Sequence, residues 1–74
     1  MFINVYYKYR NRDMDAMDAR ITRLAVRRKG RWQGGGLWPN SGEREINFSF
    51  SKKQGQSFIK ACRRTGVLKT EVLT

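Results

Sequence analysis

Residues 2–9, Phe-Ile-Asn-Val-Tyr-Tyr-Lys-Tyr, alternate with a period of two. Ile3, Val5, Tyr7 and Tyr9 fall on one side, and Phe2, Asn4, Tyr6 and Lys8 on the other. That is the pattern of a half-buried strand built from β-branched and aromatic types. The period then changes. Met14, Met17, Ile21, Leu24 and Ala25 recur at helical spacing and form one apolar stripe, predicting a helix that runs to about residue 29. Asn11 or Asp13 is placed to cap it. Asp13, Asp15 and Asp18 near its start and Arg27, Arg28 and Lys29 at its end match the helix dipole, and Gly30 is placed to stop it in a left-handed conformation.

Residues 31–50 read as a hairpin. Arg31-Trp32-Gln33 and Leu37-Trp38 bracket three glycines, which predict a bulged or loosened first arm, and Pro39-Asn40-Ser41-Gly42 supplies turn chemistry. The second arm alternates cleanly, with Ile46, Phe48 and Phe50 inward and Glu45, Asn47 and Ser49 outward. Ser51 followed by Gln54 is a capping-box pattern, opening a second helix to about residue 65 whose buried stripe is Gly55, Phe58, Ile59 and Cys62. Gly55 in that stripe predicts close approach of this helix to the sheet. Gly66 ends it, and residues 67–73 make a last short strand. The order β-α-β-β-α-β predicts one domain over residues 1–74. Its class is α+β, a ferredoxin-like sandwich with a four-stranded antiparallel sheet and two helices on one face. That fold hosts unrelated functions, so function has to come from the residues.

Charge changes the picture more than any motif does. Sixteen Lys and Arg against six Asp and Glu give a net charge of +10, with no histidine. Such a surplus steers a protein toward polyanions without saying anything about fold. On the first helix Arg20, Arg23 and Arg27 form a stripe beside the apolar arc, with Arg28, Lys29 and Arg31 extending it. On the second, Lys53, Lys60, Arg63 and Arg64 lie opposite Phe58 and Cys62. Arg outnumbers Lys ten to six, and Arg is the residue that grips phosphate or carboxylate through two bonds.

The run 46–50 resembles the aromatic strand of an RNA-recognition motif, whose bases stack on the open sheet. Parity opposes that use here. Phe48 and Phe50 belong with Ile46 under the helices, which leaves Glu45, Asn47 and Ser49 outside with Tyr6 and Phe2. Trp32 and Trp38, flanking the glycines beside Arg31, are the better stacking or hot-spot candidates, on a segment read as a flexible loop. Tyr6 is a third.

With no histidine and one cysteine, His-based acid–base and Ser–His or Cys–His catalysis are excluded in a single chain. Cys62 on the apolar stripe reads as a small buried hydrophobe. The three glycines lack the Lys-Ser/Thr of a phosphate loop. Asp13, Asp15 and Asp18 do not share one helix face, so no metal or cofactor is expected. A single cysteine, no membrane-length apolar run and no leader pattern point to a cytoplasmic protein without a membrane partner. The expectation is a non-enzymatic module that binds DNA or RNA through phosphate contacts. The alternative is an inhibitor or adaptor of phage or mobile-element type, binding an acidic host protein or nucleoprotein such as a nuclease or defence complex.

Overall fold

The structure, a computed structural model, describes residues 1–10 and 13–73. In chain order the elements are β1 (Phe2–Lys8), α1 (Met14–Val26), β2 (Arg31–Trp38), β3 (Glu43–Ser49), α2 (Lys52–Cys62) and β4 (Lys69–Leu73). The four strands form one antiparallel sheet in the order β2-β3-β1-β4. Both helices cover the same face of it, the ferredoxin-like arrangement that the periodicities predict. Among the described residues no helix is long and apolar enough to cross a membrane.

The core follows the two periods closely. Ile3, Val5 and Tyr7 from β1 and Ile46 and Phe48 from β3 meet Met17, Ile21 and Ala25 of α1 and Phe58 and Cys62 of α2. Phe50 closes one end of this layer, with its ring centroid 4.6 Å from that of Phe58. The aromatics of residues 46–50 are therefore spent on the core, as parity requires.

Helix ends depart from the sequence reading in two respects: α2 ends at Cys62, short of residue 65, and the end of α1 is built differently. Asp13 caps α1 by accepting the Ala16 N–H at 3.1 Å; Asn11 lies outside the described residues. The helix stops at Val26, short of residue 29. Gly30 N–H reaches back to Ala25 O at 2.8 Å and Lys29 N–H to Val26 O at 3.0 Å. In this Schellman ending Lys29, with φ of 59°, takes the left-handed position expected of Gly30. Gly30 is small for another reason: a Cβ there would overlap the Phe50 ring and lie 3.0 Å from Ala25 O. Gly30→Ala should therefore cost about 1–3 kcal/mol through overpacking, read as a lower urea midpoint.

At α2, Ser51 accepts the Gln54 N–H at 3.3 Å, and Gly66, with φ of 82°, ends the following turn. Gly55 lets the N-terminal end of β1 come close, because a Cβ there would fall on Met1 Sδ and 3.2 Å from Ile3 Cδ1.

The first hairpin arm forms as expected and carries the expected bulge, but its glycines are not a flexible loop: β2 is an eight-residue strand, paired with β3 from Arg31↔Ser49 to Trp38↔Glu43. The register shifts between Trp32 and Gly34, making Gln33 the bulged residue.

Candidate anion-binding groove between the helices

Leu24 and Arg28 of the first helical segment face Ser57, Lys60, Ala61, Arg64 and Thr65 of the second across a groove of about 420 Å³. Arg28 is held in place there. Its Nε donates to Ser57 Oγ at 2.9 Å and one Nη donates to Leu24 O at 2.9 Å, so the remaining guanidinium nitrogen is available to a ligand. Lys60 and Arg64, one helical turn apart, are both exposed along the opposite wall. Three cations, one of them an ordered guanidinium, and two hydroxyls therefore line one channel.

The remaining cationic residues divide around this groove. Arg20 and Arg27 stand four before and three after Leu24, on its side of α1, and Arg23 lies further out; all three are exposed. Arg20 also lines a small depression with Asp13, Ala16 and Met17. Arg63 is exposed but rotated about 100° from Arg64 around the axis, away from the groove. Lys29 and Arg31 do not extend the helical stripe as the sequence suggests. They line a separate hollow with Ser49, Phe50 and Ser51, at the start of β2 and of α2.

All six carboxylates are turned elsewhere. Glu43, Glu45 and Glu71 pair with Lys8, Tyr6 and Asn4, the residues of β1 that face the open side of the sheet. Asp13 and Asp15 sit in the first turn of α1. Asp18 points under the sheet edge, where its Oδ2 receives Arg44 Nη2 at 3.0 Å and its Oδ1 receives the Tyr7 hydroxyl at 2.6 Å. The molecule is thus polarised, with uncompensated cations on the helical layer and the glutamates on the open sheet. The chain matches no protein-family model and no curated protein. Function therefore rests on this geometry.

The stacking candidates do not form a platform. Trp32 is on the helix side of β2, its ring edge-on to Phe48 at 5.6 Å with the Arg44 guanidinium 5.9 Å above it, and 48% of it remains exposed. Trp38 is on the opposite side of the same strand, 54% exposed, with Nε1 donating to Glu45 at 3.3 Å. Tyr6 has its ring face taken by Lys69 Nζ at 4.7 Å and its hydroxyl 3.4 Å from Glu71. Asn4 and Asn47 bond to each other beside it. Cys62 is fully buried, and burial pushes its thiol up to about 12, so it is neutral at physiological pH.

Sequence reasoning missed Arg44 and the role of Asp18, though both carried a signal. Arg44 is two residues before Ile46 and so shares its inward parity, where an unpaired guanidinium is costly. Asp18 is four residues after Met14 and three before Ile21, on the apolar arc.

Proposed function

We propose that this protein is a non-enzymatic nucleic-acid-binding module whose phosphate-gripping surface is the groove between α1 and α2. One observation carries the reading: Arg28, Lys60 and Arg64 converge on a single channel with the Ser57 and Thr65 hydroxyls, and among the described residues no carboxylate lines it. A phosphate chain needs point charges and forked donors along a track, and lysine and arginine supply these in different ways. Arg20, Arg23 and Arg27 widen the track along α1. The open sheet, where Lys8 and Lys69 nearly balance three glutamates and Tyr6 is covered, does not attract a backbone and offers no stacking platform, so an RNA-recognition mode is disfavoured.

The test is binding of the purified chain to short duplex DNA, single-stranded DNA and RNA across a salt series. Six phosphate contacts predict a loss of roughly 10³-fold in affinity between about 50 and 200 mM salt. Tight binding that ignores salt, or no binding of any of the three at low salt, overturns the reading. The second outcome would assign the groove to an acidic protein surface, as an inhibitor or adaptor would use it.

A further inference from the structure

β2 is one free edge of the sheet, and it is unguarded. Between Arg31 and the following turn it carries no charge: Trp-Gln-Gly-Gly-Gly-Leu-Trp. The other edge, β4, is shorter and is blunted by Lys69 and Glu71 in the way edge strands usually are. Three large apolar side chains on β2 stand in solvent, Trp32 at 48%, Leu37 at 49% and Trp38 at 54% exposure. Its glycines sharpen the point. Gly35 is accounted for within the chain, since a Cβ there would lie 3.0 Å from Arg44 Nη2 and 3.0 Å from Glu45 O. Gly34 takes φ of 155°, which itself favours glycine, whereas at Gly36 a Cβ would meet nothing within 4 Å. Gly36 does not have a positive φ. Glycine weakens a strand interior, and often marks a place where something approaches closely. At Gly36 no atom of the described residues makes that approach.

We propose that two copies of this chain pair through β2, antiparallel and symmetric about Gly36. Parity limits the register to one centred on a residue, and side-chain size selects which. Gly34, Gly36 and Trp38 share the open side with Asn47, Glu45 and Glu43, while Gly35 and Leu37 share the helix side with Ile46 and Arg44. Of the registers that match face to face, only the one centred on Gly36 sets both large side chains opposite glycines, with Gly36 opposite the partner's Gly36, Gly34 opposite the partner's Trp38 and Gly35 opposite the partner's Leu37. Each indole then covers a bare glycine across the interface, the cross-strand pairing by which an aromatic compensates an edge glycine. A cleft of about 450 Å³, lined by Gly34, Gly36, Asn4 and Asn47 among others, receives it. The bulge at Gln33 breaks the alternation and ends the pairing at Gly34. Because residues 34–38 carry no charge, two cationic copies meet here without like charges touching. The two-fold closes on itself, giving a dimer and not a fibre.

Such a dimer joins the two sheets edge to edge with all helices on one side. Strand spacing of about 4.8 Å, counted over four strands, places the two groove axes on the order of 20 Å apart. If the groove binds nucleic acid as proposed above, one strand engages both and the second contact is intramolecular. The pairing itself does not depend on that reading.

Sedimentation equilibrium of the full chain, freed of nucleic acid and at high salt, tests it. The expected mass is twice 8.7 kDa, and dimerisation strengthens with salt as repulsion is screened, opposite to nucleic-acid binding. Gly36→Lys, which has space in the single chain, returns the mass to one chain with an unchanged far-UV spectrum. Gly36→Cys forms an interchain disulfide under mild oxidation, since cross-strand Cα atoms about 4.5–5.5 Å apart are within bonding reach. Leu37→Cys, facing the partner's Gly35, does not, and buried Cys62 gives no background. A single-chain mass at every concentration overturns the proposal, including the case in which β2 captures a strand of another protein. So does a dimer that survives Gly36→Lys.

Discussion

Replacing Asp18 by Ala lowers the unfolding free energy by about 3 kcal/mol, a large part of the roughly 4–11 kcal/mol a domain this size has. Asp18 is the only counter-ion of Arg44 within bonding distance among the described residues, taking Nη2 at 3.0 Å and Nε at 3.2 Å. The two side chains are 22% and 15% exposed, so water replaces little of what is lost. Truncation also leaves the Tyr7 hydroxyl with only Met14 O, at 2.9 Å. Asp18→Asn keeps an acceptor for Tyr7 but removes the charge, and should cost about half as much. The measurement is the urea midpoint at constant m. A loss below about 1 kcal/mol for Asp18→Ala would rank the pair with exposed ion pairs and refute its structural role.

The same cluster gives an alkaline signature. Burial first, and the bond to Asp18 second, hold the Tyr7 hydroxyl above its ordinary value of 10. The unfolded chain then releases this proton before the folded chain does. The contribution is complete below about pH 10 and declines as pH rises beyond it. Cys62, pushed up to about 12 by burial from an ordinary value of 9, adds a loss of the same sign beginning nearer pH 9. Tyr7→Phe should flatten the fall above pH 10 and leave the earlier part in place.

How far the chain could be read follows from where side chains carry information. β1, α1, β3 and α2 were legible because each buries one face and so writes its period into the sequence: Ile3, Val5 and Tyr7, then Met17, Ile21 and Ala25, are all buried. β2 was legible only as a bulged hairpin arm, because residues 34–36 have no side chains to alternate; its full length and the place of the bulge at Gln33 come from pairing with β3. The left-handed position that closes α1 was misplaced by one residue, since Lys29 tolerates it while Phe50, distant in sequence, demands the glycine at 30. The cationic faces were legible from helical spacing, but which cations converge depends on the rotation of α1 against α2. That rotation turns Arg28 inward onto Ser57 and leaves Arg63 outside, and no local pattern records it.

The combined variant Lys60→Gln/Arg64→Gln should lose about 100-fold in affinity for nucleic acid at low salt, roughly tenfold per charge-assisted contact. Its salt slope on duplex DNA should fall by about 2, near 0.9 for each phosphate released. Arg28 is a poorer probe, since its bond to Ser57 ties the helices together, its bond to Leu24 closes the end of α1, and its removal mixes stability with binding. Arg63→Gln is the decisive control. It removes the same charge from the same helix, one residue from Arg64, yet from outside the groove. A groove predicts a loss of no more than about threefold there, the share of a screened, non-contacting charge. If Arg63→Gln costs as much per charge as the double variant, the protein attracts polyanions by its net charge alone and the groove has no special role. If the double variant leaves the slope unchanged, Lys60 and Arg64 do not touch phosphate. Trp38→Ala, on the far side of the sheet, separates this surface from the β2 edge: a groove predicts little change in salt slope for it.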